Sequence, residues 1–141
     1  PPIIRQVKTR VADHGVTIVD ASPGTSCPVV EAVKGSDFCI LVTEPTPFGL
    51  NDLRLAVETM RELGLPHGAV INRVGVGDTR TEEYCREEGI PVLMTIPLDQ
   101  RIARSYSRGV PVVEALPEYR EKFVLLYDSI EDILNERSNR T

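Results

Sequence analysis

The sequence has no apolar run near the roughly 18 residues that a bilayer-crossing helix needs, so a membrane span is not expected. It also has no block of lysine or arginine. Its 16 basic residues stand against 21 acidic ones, for a formal net charge of −5. Nucleic-acid surfaces and polybasic membrane anchors must both neutralise phosphate, so this balance argues against either partner and for a small molecule or another protein. Cysteine is scarce and odd in number: Cys27, Cys39 and Cys85 form neither a disulfide framework nor a CxxC clip, which points to reduced thiols and a cytoplasmic setting. There is no internal repeat, no low-complexity tract and no signal-peptide pattern. The chain opens on Pro1-Pro2 without a methionine, which reads as an internal start and hence a fragment. What is present is ordinary globular composition. Of the 141 residues, 41% are hydrophobic and 26% charged, enough for one folded domain with a buried core.

Short β-branched runs alternate with stretches of helical period. Ile4, Val7 and Val11 recur at helical spacing, and Val16-Thr17-Ile18-Val19 then reads as a strand buried on both faces, ending in Asp20. A turn through Ser26 leads into a short helix from Pro28 to Lys34. Phe38 to Thr43 is a second strand, stopped by Glu44-Pro45-Thr46-Pro47, whose prolines cannot continue a central ladder. Leu50, Leu53, Val57, Met60 and Leu63 stripe a helix that Gly64 ends. Gly68 to Asn72 is a third strand, and Thr79-Arg80-Thr81-Glu82 has the form of a capping box for a helix ending at Gly89. Ile90 to Ile96 is a fourth strand, Asp99 can cap a helix through Tyr106, and Phe123, Leu126, Tyr127, Ile130, Ile133 and Leu134 stripe a last helix. This alternation predicts an α/β fold, a mostly parallel sheet with helices on both faces in a Rossmann-like three-layer arrangement.

In such sheets the chemistry gathers outside the carboxyl ends of the strands. Asp20 stands at the first of these ends, with Pro23-Gly24 in the turn that follows. A carboxylate there can hold Mg²⁺ through water while a glycine amide approaches a phosphate; equally, the aspartate can simply order its own turn. Asn72-Arg73 and Pro97-Leu98-Asp99 end the third and fourth strands. An amide and a carboxylate can bond the edge of a base and an arginine can stack on it, or Asn72 can end a strand and Asp99 cap a helix.

Together, Val19 to Pro28 (VDASPGTSCP), Val42 to Leu50 (VTEPTPFGL), Ile71-Asn72-Arg73 and Ile96 to Asp99 (IPLD) resemble the MinD/ParA/Mrp superfamily of P-loop ATPases. The TEPTPFGL run and the PGTSCP turn look like the MinD-type branch that carries an inserted ferredoxin domain. The resemblance covers nearly the whole chain and implies roles residue by residue. Asp20 would be the Walker B or switch II aspartate, catalytic and bound to Mg²⁺ through water, and the Gly24 amide would sense the γ-phosphate of ATP. Asn72 would contact the adenine edge, Arg73 would flank the base, and the Pro97-Leu98-Asp99 loop would close over it. Glu44, Pro45, Thr46, Pro47 and Phe48 would line the face where two such ATPases meet in a homodimer.

The P-loop itself is missing, because no Gly-Lys pair occurs anywhere in the chain. The resemblance therefore implies that residues 1–141 are one α/β domain, the C-terminal half of the ATPase. The P-loop and an iron–sulfur module would lie upstream, and a redox protein or metalloprotein would be the partner. The expected function couples ATP binding or hydrolysis to electron transfer or metallocluster assembly, the fragment alone being inactive. A plain MinD- or ParA-like positioning ATPase and a non-catalytic interaction module are the alternatives. Against membrane positioning, Asn135 to Thr141 is polar throughout and offers no apolar face. His14 and His67 read as surface residues, Cys39 as a small core residue, Arg101, Arg104 and Arg108 as a solvated face, and Tyr84, Tyr106, Tyr119 and Tyr127 as packing residues.

Overall fold

Three apolar runs become strands, and all three point the same way: β1 (Cys39–Thr43), β2 (His67–Val74) and β3 (Val92–Pro97) form a parallel sheet in the order β1-β2-β3. The computed structural model describes residues 15–139. Leu41 lies beside Ala69 and Val42 beside Val70, so neighbouring residues of the strands share a face. Parallel neighbours must be joined by crossovers, and here helices provide them. In chain order the helices are α1 (Cys27–Val33), α2 (Pro47–Glu62), α3 (Arg80–Glu87), α4 (Gln100–Ser107), α5 (Val112–Ala115) and α6 (Glu118–Ser138).

The helices divide between the two faces. On one, Val29 and Val33 of α1, Leu53, Val57 and Met60 of α2 and Cys85 of α3 pack with Leu41 and Ala69 of the sheet. On the other, Leu116 and Tyr119 pack with Val70 and Met94, flanked by Ile102, Val112 and Leu126 of α4, α5 and α6. Ile71, in the central strand, is 0% exposed. The expected three layers are therefore present. Tyr119 is buried, Tyr84 is half-buried beneath Arg54, and Tyr127 is partly exposed and donates its hydroxyl proton to Glu131 at 2.7 Å. Tyr106 departs from the packing reading, because its ring is out in solvent. His67 starts β2 half-buried, with Nδ1 2.9 Å from the Leu65 carbonyl oxygen.

Other expectations need correction. The described residues contain three strands and not four: Val16 to Asp20 pairs with none of them, and Val16 and Ile18 are 66% and 89% exposed. A run that is apolar on both faces becomes a strand only where neighbours complete its ladder and cover it, and among the described residues only Ala21 just after it reaches the core. The first helical stretch, with Ile4, Val7, Val11 and His14, lies outside the described residues. The capping box at Thr79 is also replaced: Asp78 accepts from the Arg80 amide at 3.1 Å, while Thr79 bonds the Glu83 carboxylate at 2.8 Å. A carboxylate one residue upstream thus takes the role assigned to the threonine. The helix after β1 begins earlier than its apolar stripe, at Pro47, because Thr46 caps it.

Exposed and buried apolar residues should separate cleanly on denaturation of the 141-residue chain. Ile71→Ala is expected to cost about 2–5 kcal/mol in urea unfolding, and Ile18→Ser no more than about 0.5 kcal/mol. Comparable losses at the two positions would mean that the 16–20 segment is packed after all.

Candidate functional site at the carboxyl edge of the sheet

Because the strands are parallel, Thr43, Val74 and Pro97 deliver their following loops to one edge. The loop after β1 is closed on itself. Thr43 is buried and donates its hydroxyl proton to the Gly49 carbonyl at 2.9 Å, and the Gly49 amide donates to the Thr46 hydroxyl at 3.0 Å. The Thr46 amide donates to the Glu44 carbonyl at 2.8 Å. A Cβ at Gly49 would overlap that same carbonyl oxygen, so residue 49 must be glycine for the turn to close. Pro45 is buried beneath the loop, whereas Phe48 is 85% exposed.

The ends of β2 and β3 are joined as well. The Leu98 amide donates to the Val74 carbonyl at 3.2 Å, and Asn72 lies opposite Ile96. Between Asn72 and Val74 the register slips by one residue, leaving Arg73 as a bulge with φ 58°. It is the one non-glycine residue with positive φ among the described residues, a conformation that costs about 1–2 kcal/mol and concentrates at functional sites. From there the Arg73 guanidinium reaches the Glu44 carboxylate at 3.4 Å.

Asp99 caps α4 by accepting from the Arg101 amide at 2.8 Å, and both its oxygens are also held by the Arg101 guanidinium, at 2.7 Å to the nearer nitrogen. Arg101 extends to Glu118 of α6 at 3.0 Å while remaining exposed, and Arg104 and Arg108 are exposed with it, as expected of a solvated face. Asp20 and Gly24 stand apart from this network. Both are exposed, and Gly24 has φ 104° with open space where a Cβ would be, so the turn needs glycine for its backbone conformation and not for clearance.

Two hollows of about 330 Å³ lie elsewhere, one between α2 and α3 near Arg54 and Arg80, the other along α5 and α6 near Phe123 and Tyr127. Among the described residues no trio of His, Cys, Asp or Glu is placed to hold a metal ion. A lone exposed carboxylate such as Asp20 suits Mg²⁺, which keeps several waters and takes one or two protein carboxylates beside a substrate phosphate. It does not suit a metal that needs a full protein cage.

No family model matches the chain. An uncharacterized protein of Methanocaldococcus jannaschii is 34% identical over 120 residues, which are 85% of this chain and 38% of the relative. The iron-sulfur cluster carrier protein of Pyrococcus horikoshii is 28% identical over 130 residues, 76% of this chain and 44% of the relative. The crystal structure of the Pyrococcus furiosus cell division ATPase MinD is 28% identical and superposes with a TM-score of 0.66, over 81% of this chain and 50% of that one. The chain belongs to the MinD-like superfamily. It spans less than half the length of these two curated relatives.

In this MinD-like chain the carboxyl edge carries contacts that sequence reasoning missed. Glu44 and Arg73 are 29 positions apart, and nothing short of strand order pairs them. Gly77 lies so close to Pro45 that a Cβ there would overlap the proline carbonyl oxygen; its one sequence signal is the Gly75-Val76-Gly77 spacing. The bidentate hold on Asp99 follows from an aspartate cap with an arginine two residues on.

Arg101 pulls the Asp99 carboxyl below the ordinary aspartate value of 3.8, mainly by its side-chain hydrogen bonds, and Arg80 does the same to Asp78. Folded protein then binds fewer protons than unfolded protein between the lowered and the ordinary values. The stabilisation from each pair is complete above the ordinary value and disappears as pH falls through the lowered one. Asp99→Asn should therefore flatten part of the fall in Tm below about pH 4, and Asp78→Asn a further part. An acid limb identical to that of the parent chain would show that Arg101 does not hold the Asp99 carboxylate in solution.

Proposed function

We propose that this MinD-like chain is the nucleotide-binding half of a MinD-type ATPase linked to iron–sulfur clusters, coupling ATP binding or hydrolysis to electron transfer or metallocluster assembly. The observation that carries the proposal is the single rim on which the TEPTPF loop, Asn72-Arg73 and Pro97-Leu98-Asp99 meet at the ends of adjacent parallel strands. A relative with the name iron-sulfur cluster carrier protein and a solved MinD ATPase of like fold support it.

On this reading Asn72 reads the adenine edge with its side-chain amide, Arg73 lies flat against the ring, and Leu98 offers its backbone carbonyl, its amide being donated to Val74. Asp99 shapes its loop and does not read the base, because its oxygens are engaged by Arg101. Asp20 would hold Mg²⁺ through water, and the Gly24 amide would face the terminal phosphate. The ion would supply charge neutralisation at the phosphates. The cradle of amides and the lysine that complete such a site are not among these 141 residues and, on this reading, would come from elsewhere in the protein. Glu44 to Phe48 would form the face met by a second copy, with the 85% exposed Phe48 its apolar element.

An iron–sulfur cluster does not fit Cys39 or Cys85, and exposed Cys27 has no trio of ligands gathered around it among the described residues. Cys85 is buried, Cys39 is half-buried, and burial pushes both thiols above their ordinary range, which disfavours the thiolate that binds iron. The cluster and its redox or metalloprotein partner belong to other parts of the assembly.

Two assays test the proposal. The 141-residue chain should turn over no ATP above a no-protein control. The full-length gene product should lose at least about 100-fold of its Mg²⁺-dependent hydrolysis on Asp20→Ala, the scale of removing one transition-state charge stabiliser, with its circular dichroism unchanged. Full activity in the Asp20→Ala protein would overturn the assignment.

A further inference from the structure

The ion pair between Glu44 and Arg73 is half-exposed at both ends and 3.4 Å long, so it contributes little to stability as an isolated surface contact. Its surroundings give it a different role. Arg73 is held in the left-handed region by the bulge between Asn72 and Val74, which turns it out of the ladder. A second contact lies close by: Gly77 packs against the Pro45 carbonyl, tightly enough to exclude any side chain, and the Val76 amide returns to the Arg73 carbonyl at 3.3 Å. The segments 43–49 and 73–77 are therefore fastened at two points, and the first is locked internally by Thr43, Thr46 and Gly49.

An arginine side chain loses considerable rotamer freedom when it is pinned against a ring, and one already pinned loses less. A carboxylate bonded to one edge of a guanidinium leaves both planar faces free for stacking. From these contacts we infer that Glu44 is a positioning residue for Arg73, holding the guanidinium at the rim in a pose ready to stack on a purine ring. The inference rests on the nucleotide reading above and goes beyond it by assigning Glu44, otherwise expected to face a second copy, to the base pocket of its own chain. It also makes the Pro47-Phe48 turn and the base site parts of one rigid unit.

A double-mutant cycle in the full-length gene product tests this, with ATP as the probe. Glu44→Gln is expected to raise KM for ATP by about 3- to 10-fold with kcat within about twofold, and Glu44→Gln/Arg73→Ala to be no worse than Arg73→Ala alone. An unchanged KM in Glu44→Gln, or losses that add across the cycle, would overturn the inference. The clamp is read separately from the Arg73 Nε–H resonance of the nucleotide-free protein, which should move in Glu44→Gln; a resonance that stays in place also overturns it. Failure of the nucleotide reading has its own signature, in which that resonance moves but Arg73→Ala leaves KM for ATP unchanged.

Discussion

A parallel ladder cannot be closed by a tight turn, and most of this molecule follows from that constraint. Each strand must hand the chain to a helix that carries it back along the sheet, so every strand ends at the same edge and every helix lies on a face. In the buried middle strand, Ala69 packs with the helices of one face and Val70 with those of the other. The opposite edge receives the chain as it enters each strand and carries none of the candidate residues. The carboxyl edge collects the loops, and the TEPTPF loop, Asn72-Arg73 and Pro97-Leu98-Asp99 are neighbours only because β1, β2 and β3 are parallel and adjacent.

The rim is held mainly by backbone geometry and short polar contacts, not by apolar packing. Thr43 and Thr46 fasten their loop through hydroxyl groups, Asp99 fastens its own through a cap and a guanidinium, and glycine is required where two carbonyls crowd the chain, at Gly49 and Gly77. Such a rim can be rigid while remaining wet. That suits a ligand whose phosphates and base edges need donors and acceptors in fixed places more than they need an oily pocket.

The parts legible from the sequence were those set by local periodicity. The β1, β2 and β3 runs and the striped helices stood out because their apolar residues repeat at spacings that one element alone can satisfy, and Asp99 was legible as a cap because capping acts within three residues. The parts that escaped depend on distant chain. Val16 to Val19 has the composition of an inner strand, but composition does not supply the neighbours that make one. The pairing of Glu44 with Arg73 and the packing of Gly77 on Pro45 needed the strand order first. The left-handed backbone at Arg73 had no sequence signal at all, since arginine is not a residue that favours it. The four-residue α5 is too short to show a period. For the candidate site the residue types were legible in the sequence, whereas their mutual engagement, above all the capture of Asp99 by Arg101, was not.

Arg101 also has a mechanical side. It grips Asp99 with one edge of its guanidinium and Glu118, the first residue of α6, with another nitrogen. With 21 residues, α6 is a rod of roughly 30 Å. A tilt of only 10° imposed at its first turn would carry the far end through about 5 Å. A tilt of α6 begun where Arg101 meets Glu118 would therefore be multiplied along the helix before it reached Ser138.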